Sequence, residues 1–378
     1  MFKKINNVVF LILFLSVFAI PLILTDFSSG GVSDDENRNL AKFPSFLVDG
    51  KFNEKFTTQL ETWFMDHMGL RQDMITLNAK VQYEVFDTML NNSEYLIGRN
   101  GDLNYATDAI IKDFAHVNLR SEAEVAKIGE SYQKISDWMG EKGIPFYYVQ
   151  CVDKHTICPE QFIDTVKQIG DVSKTDQVIS YLENNTTVNT VYMKDILLQE
   201  KQNYEVFSSW GDPTHWTPRG AYIGYKYLME RLRDDLLSDL LILEESDYKI
   251  YEVNDGKTLN KVIHEDDMVE HLDILSTQAQ KGDISVMGKW AEKERHSVWY
   301  NPNANNDKKL LIMGDSYFNS FIIDDIAESF SEVWLIWGDY TLDLCEIVNH
   351  YNPDIVIYEC AERVDRSYKI CNLAESLS

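Results

Sequence analysis

The chain has 378 residues, of which 44% are hydrophobic and 12% aromatic, and its formal charge is -26 at pH 7. That length and apolar content suffice for one large packed domain and exclude a disordered chain. The acidic balance excludes a nucleic-acid binder, which needs clustered Lys and Arg, and suits an exterior that faces solvent or neutral sugars.

The amino terminus carries Lys3 and Lys4 ahead of an apolar run from Val8 to Leu24, broken only by Ser16 and Pro21. This is at the short end for a bilayer span. No small-x-small cleavage site follows, so the run predicts an uncleaved signal anchor over residues 1–25. Positive charge before it, and Asp26, Asp34, Asp35 and Glu36 after it, predict a single-pass cell-membrane protein with an extracytoplasmic domain. A cleaved signal peptide would give a secreted protein in the same compartment. Residues 26–35, rich in Ser and Gly, read as a tether, and 36–378 as the folded domain.

From Phe52 to about Leu90 apolar residues recur at helical spacing, with a break at Gly69, which predicts two helices. Tyr95 to Leu103 reads as a hairpin turning at Asn100-Gly101. Ser121 with Glu124 is a capping box that opens a helix to about Lys142. Strands are predicted at Phe146–Gln150 and Val188–Met193 with a helix between them over about 176–184. A further helix runs from Pro218 to about Leu237, and later strands lie at Leu310–Met313, Val333–Ile336 and Asp354–Tyr358. Helices alternating with buried strands predict an α/β fold with a mainly parallel sheet. The charged stretch of about 241–307 reads as an irregular insertion that could cover a site.

Two turns carry the chemistry. Asp212 stands three residues before His215, just ahead of the Pro218 helix. Leu310–Met313 runs into Gly314-Asp315-Ser316, a strand-to-helix turn that exposes a serine hydroxyl. Asp, His and Ser are the residue types of an acyl-transfer or hydrolase triad: the imidazole takes the serine proton, and the carboxylate holds the imidazole tautomer. Each turn also has a plain structural reading as a helix cap or an ordinary Asp-Pro turn. Glu359 and Arg363 follow the last strand, where α/β sheets place ligands, though an ion pair is the commoner role there. The other histidines, including His155 and His271, stand in isolation in the sequence. No His or Cys cluster has metal-ligand spacing, so neither metal nor cofactor is expected. The cysteines (Cys151, Cys158, Cys345, Cys360 and Cys371) contain no C-x-x-C pair. Cys151 and Cys158 could bridge under oxidising conditions, but buried thiols are the plainer reading.

Taken together, Gly314-Asp-Ser316, Asp212-x-x-His215-Trp216, Asn37-Arg38, Leu96-Ile-Gly-Arg-Asn-Gly101 and Pro353 to Glu359 resemble the AlgX/AlgJ-like and DHHW families of SGNH hydrolase-like proteins. The order, with Asp and His ahead of Ser, is the specific part. The resemblance implies a flavodoxin-like three-layer sandwich and an O-acetyltransferase acting on a cell-surface or exported polysaccharide. It also implies a membrane-bound O-acyltransferase partner that supplies acetyl groups. By motif, Ser316 is the nucleophile, His215 the base and Asp212 its orienting acid; Tyr317, Asn319, Trp216, Glu359 and Arg363 are candidates for substrate or oxyanion contact. Here Asp212 lies three residues before His215 rather than the two of the alginate-type motif, and the superfamily's separate oxyanion Gly and Asn have no counterpart. An esterase with the same triad and a polysaccharide-binding assembly protein are the competing readings.

Overall fold

The computed structural model describes residues 2–27, 31–33, 38–48, 50–86, 94–98, 100–259, 263–292 and 294–377. The chain forms two compact units, residues 1–90 with 258–263 and residues 91–257 with 264–378.

In the smaller unit, α1 (Phe2–Ile23) precedes α2 (Phe56–His67) and α3 (Arg71–Phe86). The break between α2 and α3 falls at Gly69, as the spacing predicts. A side chain there has no room, because a Cβ would lie 2.5 Å from Leu24. Trp63 of α2 is buried and packs edge-on against Phe43 at 4.8 Å. Gly31–Ser33 pairs antiparallel with Arg38–Leu40, so part of the expected tether is β structure. Residues 28–30 and 34–35 of that stretch, like Asn37, lie outside the described residues.

The expected membrane anchor is not supported. Among the described residues no helix is long and apolar enough to cross a membrane. The apolar part of α1, from Val8 to its end at Ile23, rises only about 25 Å at ~1.5 Å per residue, and Pro21 lies inside the helix. A hydrocarbon core of ~30 Å needs more. The cell-membrane location inferred from the anchor falls with it.

The larger unit is built on a seven-stranded sheet. Its strands are β1 (Phe146–Cys151), β2 (Asn189–Tyr192), β3 (Gln280–Lys281), β4 (Ser297–Tyr300), β5 (Lys309–Gly314), β6 (Glu332–Trp337) and β7 (Ile355–Ala361). They lie in the order β3-β4-β6-β5-β7-β1-β2. The last five in that order are parallel, and β3 and β4 add an antiparallel edge. In register, Ile312 of β5 stands beside Leu335 of β6 and Ile357 of β7.

Helices cover both faces, as parallel strands without an exposed face require. Successive β5 residues point to opposite sides. Leu310 and Ile312 pack with Tyr225, Leu228 and Leu232 of α6 (Pro218–Asp235). Leu311 and Met313 pack with Ile135 of α4 (Glu122–Gly140) and Leu182 of α5 (Lys174–Asn185). On that second face Ile347 of α7 (Leu344–Tyr351) and Ile370 of α8 (Ser367–Ser376) complete the layer. This is the expected three-layer α/β sandwich. Ser121 caps α4 through a reciprocal bond with Glu124, and Tyr95–Ile97 pairs with Leu103–Tyr105 as a hairpin, with Gly101 at φ 88° in the turn.

The stretch 241–307 is more ordered than its composition suggests. Tyr248–Asn254 and Met268–Ile274 form a hairpin, and beyond it β3 and β4 join the central sheet. The insertion is therefore confined to the hairpin and its loop.

Candidate active site

Strand β5 ends in Gly314 and delivers Ser316 to the carboxyl edge of the parallel strands. The chain then turns helical, with a π turn over Phe318–Ile322 before the α-helical Ile323–Ala327. Asp315 is buried and braces this turn rather than merely capping a helix. Its N–H donates to Glu359 Oε2 at 2.8 Å, and its Oδ1 accepts from the Tyr317 N–H at 3.1 Å. Its Oδ2 accepts from the Ala361 N–H at 3.0 Å and faces Arg366 Nη1 at 3.3 Å. Glu359 is fully buried, and desolvation pushes its carboxyl well above the usual range. It holds the Ser316 turn from below and, with no exposed surface, is out of reach of a substrate.

The second turn is fixed by the start of α6. Thr217 accepts from the Gly220 N–H, and Pro218 occupies the first helical position, where its missing N–H costs nothing. Trp216 is 1% exposed, with its ring edge-on to Tyr317 at 5.0 Å. Two helix glycines make room for it: a Cβ on Gly224 would lie 2.6 Å from the indole, and one on Gly220 3.1 Å from its Cβ. Trp216 is thus a packing residue that sets where its neighbour His215 stands.

The two turns meet. His215 Nε2 lies 2.7 Å from Ser316 Oγ, and His215 Nδ1 lies 2.9 Å from Asp212 Oδ2. A carboxylate on Nδ1 selects the tautomer in which Nδ1–H donates to Asp212 and Nε2 accepts the Ser316 hydroxyl proton. Burial alone would raise the Asp212 carboxyl. Hydrogen bonds from His215 and Thr214 outweigh it and hold the group well below the ordinary carboxylate range. Lys257 Nζ, 3.6 Å from Asp212 Oδ1, adds positive charge on the outer side. The imidazole is held between Tyr317 and Phe321, at ring distances of 5.2 and 5.4 Å.

Arg363, which follows β7, places Nη2 3.3 Å from His215 Nε2, beside the serine hydroxyl. Asp153, which follows β1, anchors it by accepting from Nη1. Tyr317 Oη donates to Asp153 Oδ1 at 2.9 Å, and the guanidinium lies 5.2 Å over the Tyr317 ring. Tyr317 is therefore a buried support of the site. Asn319 lies in the π turn, with its N–H donating to Asp315 O at 3.0 Å. The structure thus brings Asp212, His215, Ser316 and Arg363 into direct contact, puts Trp216, Tyr317 and Glu359 behind them, and gives Asn319 a backbone role.

Two groups have no counterpart in the sequence reading. Asp153 is one. The other is a buried cluster of Asp113, His155 and Glu362, whose ligand-type atoms lie within 4.8 Å of one another. His155, isolated in sequence, is thus not isolated in space. These are the residue types that hold a metal ion, yet protein charges already balance them. His155 Nε2 is 3.6 Å and Lys174 Nζ 3.7 Å from the Asp113 carboxylate. Burial works against the imidazolium, but the nearby carboxylates of Asp113, Glu362 and Asp153 outweigh it and raise the His155 pKa. The cluster reads as a structural ion group. All five cysteines are free thiols, so Cys151 and Cys158 are not bridged.

Residues 111–281 match the family model described as SGNH hydrolase-like domain, acetyltransferase AlgX. The matched stretch contains Asp212 and His215 and stops short of Ser316. Among solved structures, Bacillus cereus PatB1 is similar at 14% identity over 71% of this chain and 95% of that one, with a TM-score of 0.51. The same protein with a sulfonyl adduct gives a TM-score of 0.50 over the same shares at 14% identity. A DHHW family protein from Eubacterium siraeum DSM 15702 is 13% identical over 74% of this chain and 96% of that one, with a TM-score of 0.49. No curated protein sequence matches the chain. The comparisons show an SGNH hydrolase-like α/β fold, with the AlgX-type match confined to residues 111–281.

Proposed function

We propose, from this SGNH-like fold and its AlgX-type match, that the chain is an O-acetyltransferase that modifies polysaccharide hydroxyls through an acyl-serine intermediate. The observation that supports this reading is the continuous contact Ser316 Oγ–His215 Nε2–Asp212, at 2.7 and 2.9 Å. Ser316 attacks the carbonyl carbon of an acetyl donor while His215 takes its proton. The oxyanion is met by the Ser316 N–H, which lies in a first helical turn without an intrahelical acceptor, and by Arg363. His215 returns the proton to the leaving group. It then deprotonates a sugar hydroxyl, which attacks the acetyl-serine ester and restores the free Ser316.

The acceptor in this reading is a polysaccharide, and a membrane-bound O-acyltransferase is the partner that would present acetyl groups. Water in place of the sugar gives an esterase with the same triad. The 38% exposure of the Asp212 side chain, which leaves solvent close to the imidazole, favours keeping that reading as the second one.

The deciding experiment treats the purified protein with 4-nitrophenyl acetate and maps the acetylated residue by mass spectrometry. Acetyl-Ser316, absent from Ser316→Ala, supports the mechanism. Nitrophenolate release that persists in Ser316→Ala overturns it. Adding oligosaccharide then separates transfer from hydrolysis, by the share of acetyl that ends on sugar.

A further inference from the structure

A groove of about 320 Å³ opens beside the triad, lined by Asp212, Asp255, His271, Ser320 and Phe321. Two of these tie it to the reacting groups. Asp212 is the carboxylate on His215, and the Phe321 ring packs 5.4 Å from the imidazole. The opposite wall comes from the hairpin Tyr248–Asn254/Met268–Ile274, which also supplies Val269 and Leu272. His271 Nε2 lies 3.2 Å from Asp255 Oδ2, so the imidazole is turned toward the carboxylate across the loop.

The lining has a definite chemical character. Its polar side chains are two carboxylates, three hydroxyls and an imidazole, and between them lie two aromatic rings and three aliphatic side chains. No Lys or Arg is among the described residues that line it. The near cations lie outside this lining and are each engaged by a carboxylate, Lys257 by Asp212 and Arg363 by Asp153. Carboxylates accept from sugar hydroxyls, and apolar and aromatic faces receive the C–H face of a pyranose. A polymer that carries a carboxylate on each residue would set like charge against Asp212 and Asp255, on a chain of formal charge -26.

We infer that this groove is the acceptor subsite and that it selects an uncharged, hydroxyl-rich saccharide against a uronate polymer. The inference rests on the acyl-transfer reading for its purpose, but its test reads binding and not chemistry.

The experiment titrates Ser316→Ala protein with a neutral oligosaccharide and with an oligouronate of the same length, at low salt, by calorimetry. The neutral sugar is expected to bind at least tenfold more tightly. Asp255→Asn should weaken the neutral sugar several-fold and narrow its advantage over the uronate, and Asp255→Lys should narrow it further. Both variants are checked for an unchanged melting temperature, since Asp255 is exposed. Equal or tighter uronate binding, no binding of either sugar, or constants unmoved by both substitutions would overturn the assignment. Failure of Ser316 to acetylate would instead count against the mechanism, and leaves this result standing by itself.

Discussion

Arg363 holds a guanidinium nitrogen 3.3 Å from Nε2 of His215, the same ring nitrogen that meets Ser316 Oγ. In the proposed acyl transfer this fixed positive charge is in place when negative charge develops on the acyl oxygen. Removing the guanidinium should therefore lower the rate of Ser316 acetylation. Arg363→Ala is expected to cost on the order of 10²–10³-fold, the usual effect of losing one oxyanion donor. Arg363→Lys should recover only part of this, because Lys cannot reach Asp153 and the site at once with a planar fork. Stopped-flow release of nitrophenolate measures both.

Asp212→Asn presents an amide to His215 Nδ1 and favours the wrong tautomer, so acetylation should fall by up to about 10⁴-fold with little change in fold. The folded-state pKa of Asp212 is depressed, so its stabilising contribution is present above the unfolded value near 4 and is lost as pH falls through the folded value. Wild type and Asp212→Asn should differ by a constant stability above about pH 4 and converge below it. Urea midpoints across pH 2–7 provide the check.

Asp325 shows the opposite sign. Burial pushes its carboxyl up to about 7, against the hydrogen bond that Tyr248 Oη donates at 2.6 Å. The folded state then binds this proton more tightly than the unfolded state does. The stability it lends is complete below about pH 4 and drains away as pH rises toward 7. Asp325→Asn, which keeps an acceptor for Tyr248, should flatten that part of the profile and leave the protein more stable than wild type at pH 8. A profile with no slope between pH 4 and 7 in wild type would refute the assignment.

Gly224→Ala should be destabilising although Ala is the better helix former, since the added Cβ would meet the Trp216 indole at 2.6 Å. Over-packing of this kind costs about 1–3 kcal/mol. Because Trp216 precedes His215, acetylation should drop as well, and Gly224→Ser should behave alike.

Asp113→Ala takes from His155 and Lys174 the carboxylate they share, leaving Glu362 as the remaining acid of the cluster. Loss of one partner of such a group costs about 3–5 kcal/mol. The expected result is a lowered urea midpoint at pH 7, with Ser316 still acetylated in the fraction that remains folded.

Much of the scaffold could be read from residue patterns because each strand is a short buried run between helix signals. The five parallel strands, the Ser121 cap and the break at Gly69 are local features, and local chemistry dictates them. Asp212, His215 and Ser316 were legible as turn residues of the right types. Their meeting was expected only through the family resemblance and not from local pattern, since it depends on β5 lying in the middle of the sheet. Asp153 had no signal at all: its role is to hold Arg363, two hundred residues away in sequence. The Asp113–His155–Glu362 cluster was invisible for the same reason, as three segments each supply one member. Composition misled twice. Charge in 241–307 suggested an irregular excursion, although β3 and β4 inside it extend the sheet. The apolar start suggested a span, although the apolar part of α1 is too short for one.

The order of the strands has a consequence for how the protein is made. Strand β7, the last of the parallel five along the chain, sits between β5 and β1. Until Ile355–Ala361 is inserted there, the sheet remains two separate pieces, with Ser316 on one and Asp153 on the other. Its closure brings together contacts of very large sequence separation, the slow kind in folding. Arg363 follows directly on the strand that closes the sheet, so a nascent or half-folded chain carries a serine without its neighbouring charge. The site of the proposed acyl transfer would therefore be complete only once β7 is seated.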